Sequence, residues 1–202
     1  MLVDAQTRKL AAMAYGEASG ADDVNEIGGI AWAVANRARA WGQKTVDQLL
    51  AADPNYTYAV KDGNPRFGRL MAANERGILA DKGMSLALQS AGSALASHGI
   101  DPSKGAHWWD GLDFKTNFQH HPKVKDGFHF TDPAHNIFKV QETSYPVTIY
   151  WKLRDKKSGR EINSKVRGSY KYVWESTAAY GKTIFWKHSA DYLSATGGKA
   201  YR

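Results

Sequence analysis

Two patterns in the sequence predict an α+β fold. Up to about residue 124, apolar side chains recur at the three-and-four spacing of helices; beyond residue 125 they alternate with polar ones, as in strands. No internal repeat or low-complexity linker divides the 202 residues. The chain therefore reads as one domain, helical over 1–124 and β-rich over 125–202, long enough to fill a single core.

Leu10, Met13, Ala14 and Glu17 share one face of the first helix, so a stripe that should pack a core ends in a carboxyl group. Burial disfavours the charged carboxylate, which is expected to raise its pKa and keep Glu17 able to donate a proton. The plainer alternative is a glutamate that reaches water at a helix end. A loop over 18–24 leads to a second helix with Ile27, Ile30, Ala31, Val34, Ala38 and Trp41 on its apolar face and Asn25 as its N-cap. So short a loop predicts antiparallel neighbours, which puts Glu17 at the negative end of one helix and Glu26 at the positive end of the other. Two carboxyls pushed apart in pKa suit acid/base work on a glycosidic bond, although a glutamate in a first turn is also ordinary dipole compensation. Further helices are expected over 67–79 and 85–98, with Asn64-Pro65 and residues 81–83 as breaks.

Tyr15-Gly16-Glu17-Ala18-Ser19-Gly20, then Glu26-Ile27-Gly28 and an alanine-valine helix ending in Asn36-Arg37, resembles the opening of the cell-wall-hydrolase family of spore-cortex-lytic enzymes, within the lysozyme and lytic transglycosylase group. Tyr56-Thr57-Tyr58 and Asp101-Pro102-Ser103-Lys104-Gly105-Ala106-His107-Trp108-Trp109 resemble two further islands of that family, so about the first half of the chain is covered. The resemblance implies a lysozyme-like helical lobe, peptidoglycan as substrate, Glu17 as catalytic acid, and Tyr56 and Tyr58 along the cleft. Glu26 matches the family's later glutamate. Ala21 departs from the pattern, standing where the family has a glutamate, and the loop before Glu26 is slightly longer. Trp109-Asp110-Gly111-Leu112-Asp113-Phe114 is also similar to muramidase domains of interbacterial toxin effectors, which implies a cognate immunity protein or a secretion machine as partner.

Sugar rings present apolar C–H faces that stack on aromatic planes, so Trp108, Trp109 and Asp110 are candidates for a saccharide subsite. On an extended segment the two tryptophans point apart, and one is expected to be exposed. Asp110 and Asp113 are read as orienting a water, binding sugar hydroxyls, or only capping a turn. Trp32 and Trp151 are assigned to packing. In the second half, residues 145–153 alternate, residues 155–159 read as a turn and residues 160–167 as the returning strand. Residues 127–130, 136–140, 170–174 and 183–186 are further strand candidates.

Cysteine is absent, which excludes disulfides, a thiol nucleophile and a cysteine zinc site. The net charge of +7 draws the molecule to polyanions, peptidoglycan among them. Without a nucleic-acid-binding motif, no nucleic-acid partner is expected. The start Met1-Leu2-Val3-Asp4 runs straight into the first helix, so neither a signal peptide nor a membrane span is read, and action in the periplasm or wall requires delivery by a secretion machine, by phage lysis or as part of a larger chain. His107, His120, His121, His129 and His135 crowd one region and raise the alternative of a metal-dependent peptidoglycan amidase, but no His-Glu-x-x-His occurs. A non-catalytic wall-binding module is the other alternative, and it leaves Glu17 unexplained. The expectation is a monomeric muramidase without metal or cofactor, cutting between N-acetylmuramic acid and N-acetylglucosamine. Glu17 is its acid and Glu26 its second carboxylate, which favours lysozyme-type hydrolysis over transglycosylation to a 1,6-anhydro product.

Overall fold

The computed structural model describes residues 3–199, which form an α+β fold. Helix α1 (Ala5–Glu17) starts at Asp4, whose carboxylate accepts the N–H groups of Gln6 and Thr7. It is buried on every side from Leu10 to Gly16. Its alanines allow this, because small side chains let neighbouring helices close in on all faces. Helix α2 (Val24–Ala40) is capped by Asp23 and not by Asn25; Asp23 takes the N–H groups of Asn25 and Glu26, so the helix begins earlier than its apolar pattern implies.

Helix α3 (Val46–Ala52), capped by Thr45, was not foreseen in the sequence. The helix expected over 67–79 is two, α4 (Pro65–Ala72) and α5 (Glu75–Ala80), because the Asn74 side chain accepts the Gly77 N–H and starts a new helix. Helix α6 (Lys82–Ala96) packs on α1 and α2 and ends where Ser97 turns left-handed at φ 52°.

Next comes a strand inside the stretch that reads as helical, β1 (Trp108–Asp110). Two short helices, α7 (Asp113–Thr116) and α8 (Pro122–Asp126), and β2 (Phe128–His129) follow. Then come β3 (Val147–Arg154), β4 (Glu161–Tyr170), β5 (Trp174–Tyr180), β6 (Thr183–His188) and helix α9 (Ala190–Thr196). One sheet has the order β1-β6-β5-β2, with only β2 and β5 parallel; β3 and β4 pair separately as a two-stranded ribbon.

Residues 136–140 are not a strand. Asn136 closes them into a loop, its side chain bonding both the N–H and the C=O of Val140. Residues 170–174 are the junction between β4 and β5.

The division at residue 125 does not separate layers, since β1 pairs with β6, Trp108 opposite Trp186 and Asp110 opposite Ile184. A helical core, joined by Ala178 and Phe185, packs on one face of the sheet, and an aromatic core around Phe114, Phe128 and Trp186 packs on the other. Phe185 reaches α2 at Gly29, where a Cβ would lie 2.4 Å from its ring, so this helix–sheet contact requires glycine. Trp32 is buried, whereas Trp151, expected to pack, is 47% exposed because nothing among the described residues layers over that part of the ribbon. No helix among the described residues is long and apolar enough to cross a membrane.

Candidate functional site

A groove of about 620 Å³ runs between the end of α1, the segment after α3, and the segment from β1 to α8. Seven of the eight residues singled out in the sequence line it: Glu17, Tyr56, Tyr58, Trp108, Trp109, Asp110 and Asp113. Glu26 does not.

Glu17 is the last residue of α1 and is half-buried. Its Oε1 accepts the Thr57 hydroxyl and the Ala59 N–H, the latter at 2.9 Å. With Oε1 held by two donors, Oε2 has no hydrogen bond among the described residues and is the oxygen left for a ligand. Thr57 entered the sequence reading only as the middle of the Tyr56-Thr57-Tyr58 island; its part in fixing Glu17 is a long-range contact that no local pattern announces.

Glu26 corrects the sequence reading. Its side chain is fully buried and accepts the Ser19 hydroxyl at 2.5 Å, the Lys182 N–H at 3.0 Å and the Thr183 hydroxyl at 2.9 Å. The β5–β6 turn sits directly on it, and at Gly181 (φ 58°) a Cβ would lie 2.4 Å from Oε2. A carboxyl so enclosed has no room for a water or a sugar. The expectation of a second catalytic carboxylate at this helix end fails because a turn 156 residues further along the chain covers it.

The aromatic wall rests on the Asn36-Arg37 pair at the end of α2. The Asn36 amide donates to Asp101 Oδ2 at 2.9 Å and to the Ala106 carbonyl at 3.1 Å. Asp101 in turn accepts the N–H groups of Ser103 and Gly105. That knot feeds the chain into β1. Arg37, almost wholly buried, pairs with Asp53 at 2.7 Å, and its guanidinium carbon lies 4.6–4.7 Å from the ring centres of Trp41, Tyr56 and Trp108. Its Nε and Nη1 find no hydrogen-bond acceptor among the described residues, and the ring faces stand in for one. Tyr56 donates its hydroxyl to the His107 carbonyl at 2.8 Å, and burial pushes that hydroxyl's pKa up, keeping it a neutral donor.

Neither Trp108 nor Trp109 is fully exposed; both are half-buried in the groove wall. Trp109 meets Tyr56 edge-on, and Trp108 packs against Trp174 and His188. Burial pushes the pKa of His188 down to about 4, so this ring is neutral at physiological pH. Tyr58, 69% exposed, stands at the rim.

On the facing side Asp110 is paired with Lys123 at 3.0 Å and lies 3.3 Å from His121 Nε2. Lys123, His121 and Trp174 also line the groove; His121 was weighed in the sequence only as a metal ligand of the amidase alternative, Lys123 carried no motif and was missed, and Trp174 was read only as a strand residue. Asp113 is exposed, with Oδ1 on the Gly111 N–H.

Ligand atoms of Asp110, Asp113 and His121 all lie within 4.8 Å of one another. The donor set is a poor cation site, because Lys123 already neutralises Asp110. His121 Nδ1 accepts the Lys123 N–H, which leaves the proton of the neutral ring on Nε2, the atom a metal would need.

No family model, curated protein or solved structure matches this chain.

Proposed function

We propose that the groove binds peptidoglycan glycan strands and cleaves the β-1,4 bond between N-acetylmuramic acid and N-acetylglucosamine. The observation that carries this reading is Glu17 itself: a half-buried carboxyl at a helix end, one oxygen fixed by Thr57 and Ala59, in a groove walled by Tyr56, Tyr58, Trp108 and Trp109. Bound sugars stack on those rings. Glu17 Oε2 then delivers a proton to the departing glycosidic oxygen as positive charge develops at the anomeric carbon. Thr57 and Ala59 hold the carboxyl in place through the step, so that little reorganisation accompanies proton transfer.

With Glu26 sealed under the β5–β6 turn, the groove retains two other carboxylates. Asp110 is occupied by its ion pair with Lys123, while Asp113 is exposed and is the group able to activate a water. The seclusion of Glu26 also favours a second reading, in which the substrate's own C6 hydroxyl attacks and the deprotonated Glu17 serves as base. That route makes the protein a lytic transglycosylase. Mass spectrometry of digested peptidoglycan separates the two, since the anhydro product is lighter by one water. Undegraded glycan after incubation with a well-folded wild-type protein would overturn both.

The same proposal places the protein at the cell wall as a monomer, with an immunity protein or a secretion-machine component as its protein partner.

A further inference from the structure

The β3–β4 ribbon takes no part in the groove. Its base is anchored where Gly168 packs on Ala195 of α9 and Tyr170 meets Tyr192 edge-on. Beyond Arg167 no element covers it among the described residues, and Tyr150, Trp151, Leu153, Ile162 and Val166 are between 38% and 57% exposed. Among the described residues, neither strand has a partner on its outer edge.

Charge is concentrated here as well. Residues 147–170 hold seven Lys or Arg against two Asp or Glu, a net +5 of the whole chain's +7. None of the seven forms an ion pair among the described residues, whose ion pairs all lie elsewhere. Asp155 is spent on the turn, accepting from the Lys157 and Ser158 N–H groups and the Ser158 hydroxyl.

The placement of these charges narrows what they meet. Lys156, Lys157 and Arg160 occupy the tip, so insertion tip-first into a bilayer would bury cations and is disfavoured. Lys152 and Arg154 lie on β3 and Lys165 and Arg167 on β4, so cations stand along both strands and around the end. A single flat protein surface would satisfy only part of that set, whereas a polyanionic mesh surrounds it. Trp151, with Arg167 4.5 Å above its ring, adds an exposed aromatic plane of the kind that stacks on sugars.

We propose that the ribbon is a second, non-catalytic binding element for peptidoglycan, its cations pairing with stem-peptide carboxylates and Trp151 resting on glycan. This rests on the reading that wall glycan is the substrate. It adds that the enzyme is held on the insoluble polymer by an arm separate from its groove.

The test uses sacculi stripped of secondary wall polymers, and Glu17→Gln protein so that the polymer stays intact. That protein is sedimented with sacculi at low and high salt, with and without Lys152→Gln, Arg154→Gln, Lys156→Gln and Lys157→Gln together. Each exposed contact contributes about a factor of two, so the fourfold variant should bind about sixteenfold more weakly at low salt, and the difference should close at high salt. Trp151→Ala should weaken binding by about threefold or more. Circular dichroism checks that each variant is folded, and the pair Lys156→Gln and Lys157→Gln, confined to the turn, serves if the larger set is not. Equal sedimentation of parent and variants would overturn the proposal. Ribbon-dependent binding to phosphatidylglycerol vesicles that exceeds binding to sacculi would overturn it too, in favour of lipid. Because binding is read without turnover, a wild type that fails to cleave glycan while the ribbon still binds sacculi would refute the catalytic reading alone.

Discussion

Replacing Glu26 separates a structural carboxyl from a catalytic one. In Glu26→Gln the amide oxygen at the Oε1 position still accepts from the Lys182 N–H and the Thr183 hydroxyl, and the amide nitrogen faces Ser19 Oγ, which can turn to accept. What is lost is the charge assistance of three hydrogen bonds, about 1 kcal/mol each, partly offset by the easier burial of a neutral group, for a net cost of about 1–3 kcal/mol. In a domain of this size that lowers Tm by about 2–4 °C per kcal/mol. Glu26→Ala instead strands three donors in the interior at about 1–3 kcal/mol each and leaves a cavity, a sum comparable to the whole stability of a typical domain. The expected result is a Glu26→Gln protein that melts several degrees lower yet clears a peptidoglycan suspension at near wild-type rate, and a Glu26→Ala protein recovered mostly insoluble. Scanning calorimetry and turbidity clearance measure the two quantities. A Glu26→Gln variant with unchanged Tm and no turnover would refute the reasoning and return Glu26 to the chemistry.

Glu17→Gln keeps the volume and removes the transferable proton, so glycan cleavage should fall about a hundredfold to ten-thousandfold with the fold intact; near-normal clearance would remove Glu17 from its role. Thr57→Val frees Glu17 Oε1 from one donor, and kcat should drop about tenfold or more with KM little changed, restored by Thr57→Ser, which returns the hydroxyl. Trp109→Ala should raise KM more than it lowers kcat, as read from kinetics on soluble glycan fragments. His188, held at about pKa 4 by burial, remains neutral in the fold while the unfolded chain takes up its proton near pH 6.5. The unfolded state therefore binds more protons below that point, and this contribution is fully present above about pH 6.5 and lost as pH falls toward 4. Tm measured across that window should decline in wild type and decline less in His188→Gln.

Much of the site was legible because its pieces are short, local and chemically pointed. Glu17 stands out as an acid on an alanine-rich helical face, and Trp108-Trp109-Asp110 as paired rings beside a carboxylate; both line the groove. Glu26 was misread for a reason equally physical, since its surroundings are supplied by Lys182 and Thr183 and no helical pattern reports a contact of that range. The strand at 108–110 was hidden likewise, because three residues are too few for alternation to register and their pairing lies with β6. The outer ribbon shows the limit from the other side: its alternating apolar residues announced strands correctly, but alternation implies a covered face, and no helix or further strand among the described residues covers Trp151.

The pairing of β1 with β6 also fixes an order of assembly. Trp108–Asp110 is an edge strand whose neighbour in the sheet is made of residues 184–186, and Glu26 waits for residues 182 and 183. As the chain leaves the ribosome, α1 and α2 can dock early, but the aromatic wall has nothing to align on until residues 184–186 emerge. The groove is thus completed only once β6 has emerged, and a chain broken off before residue 184 carries Glu17 without a framework to place the rings of the groove wall.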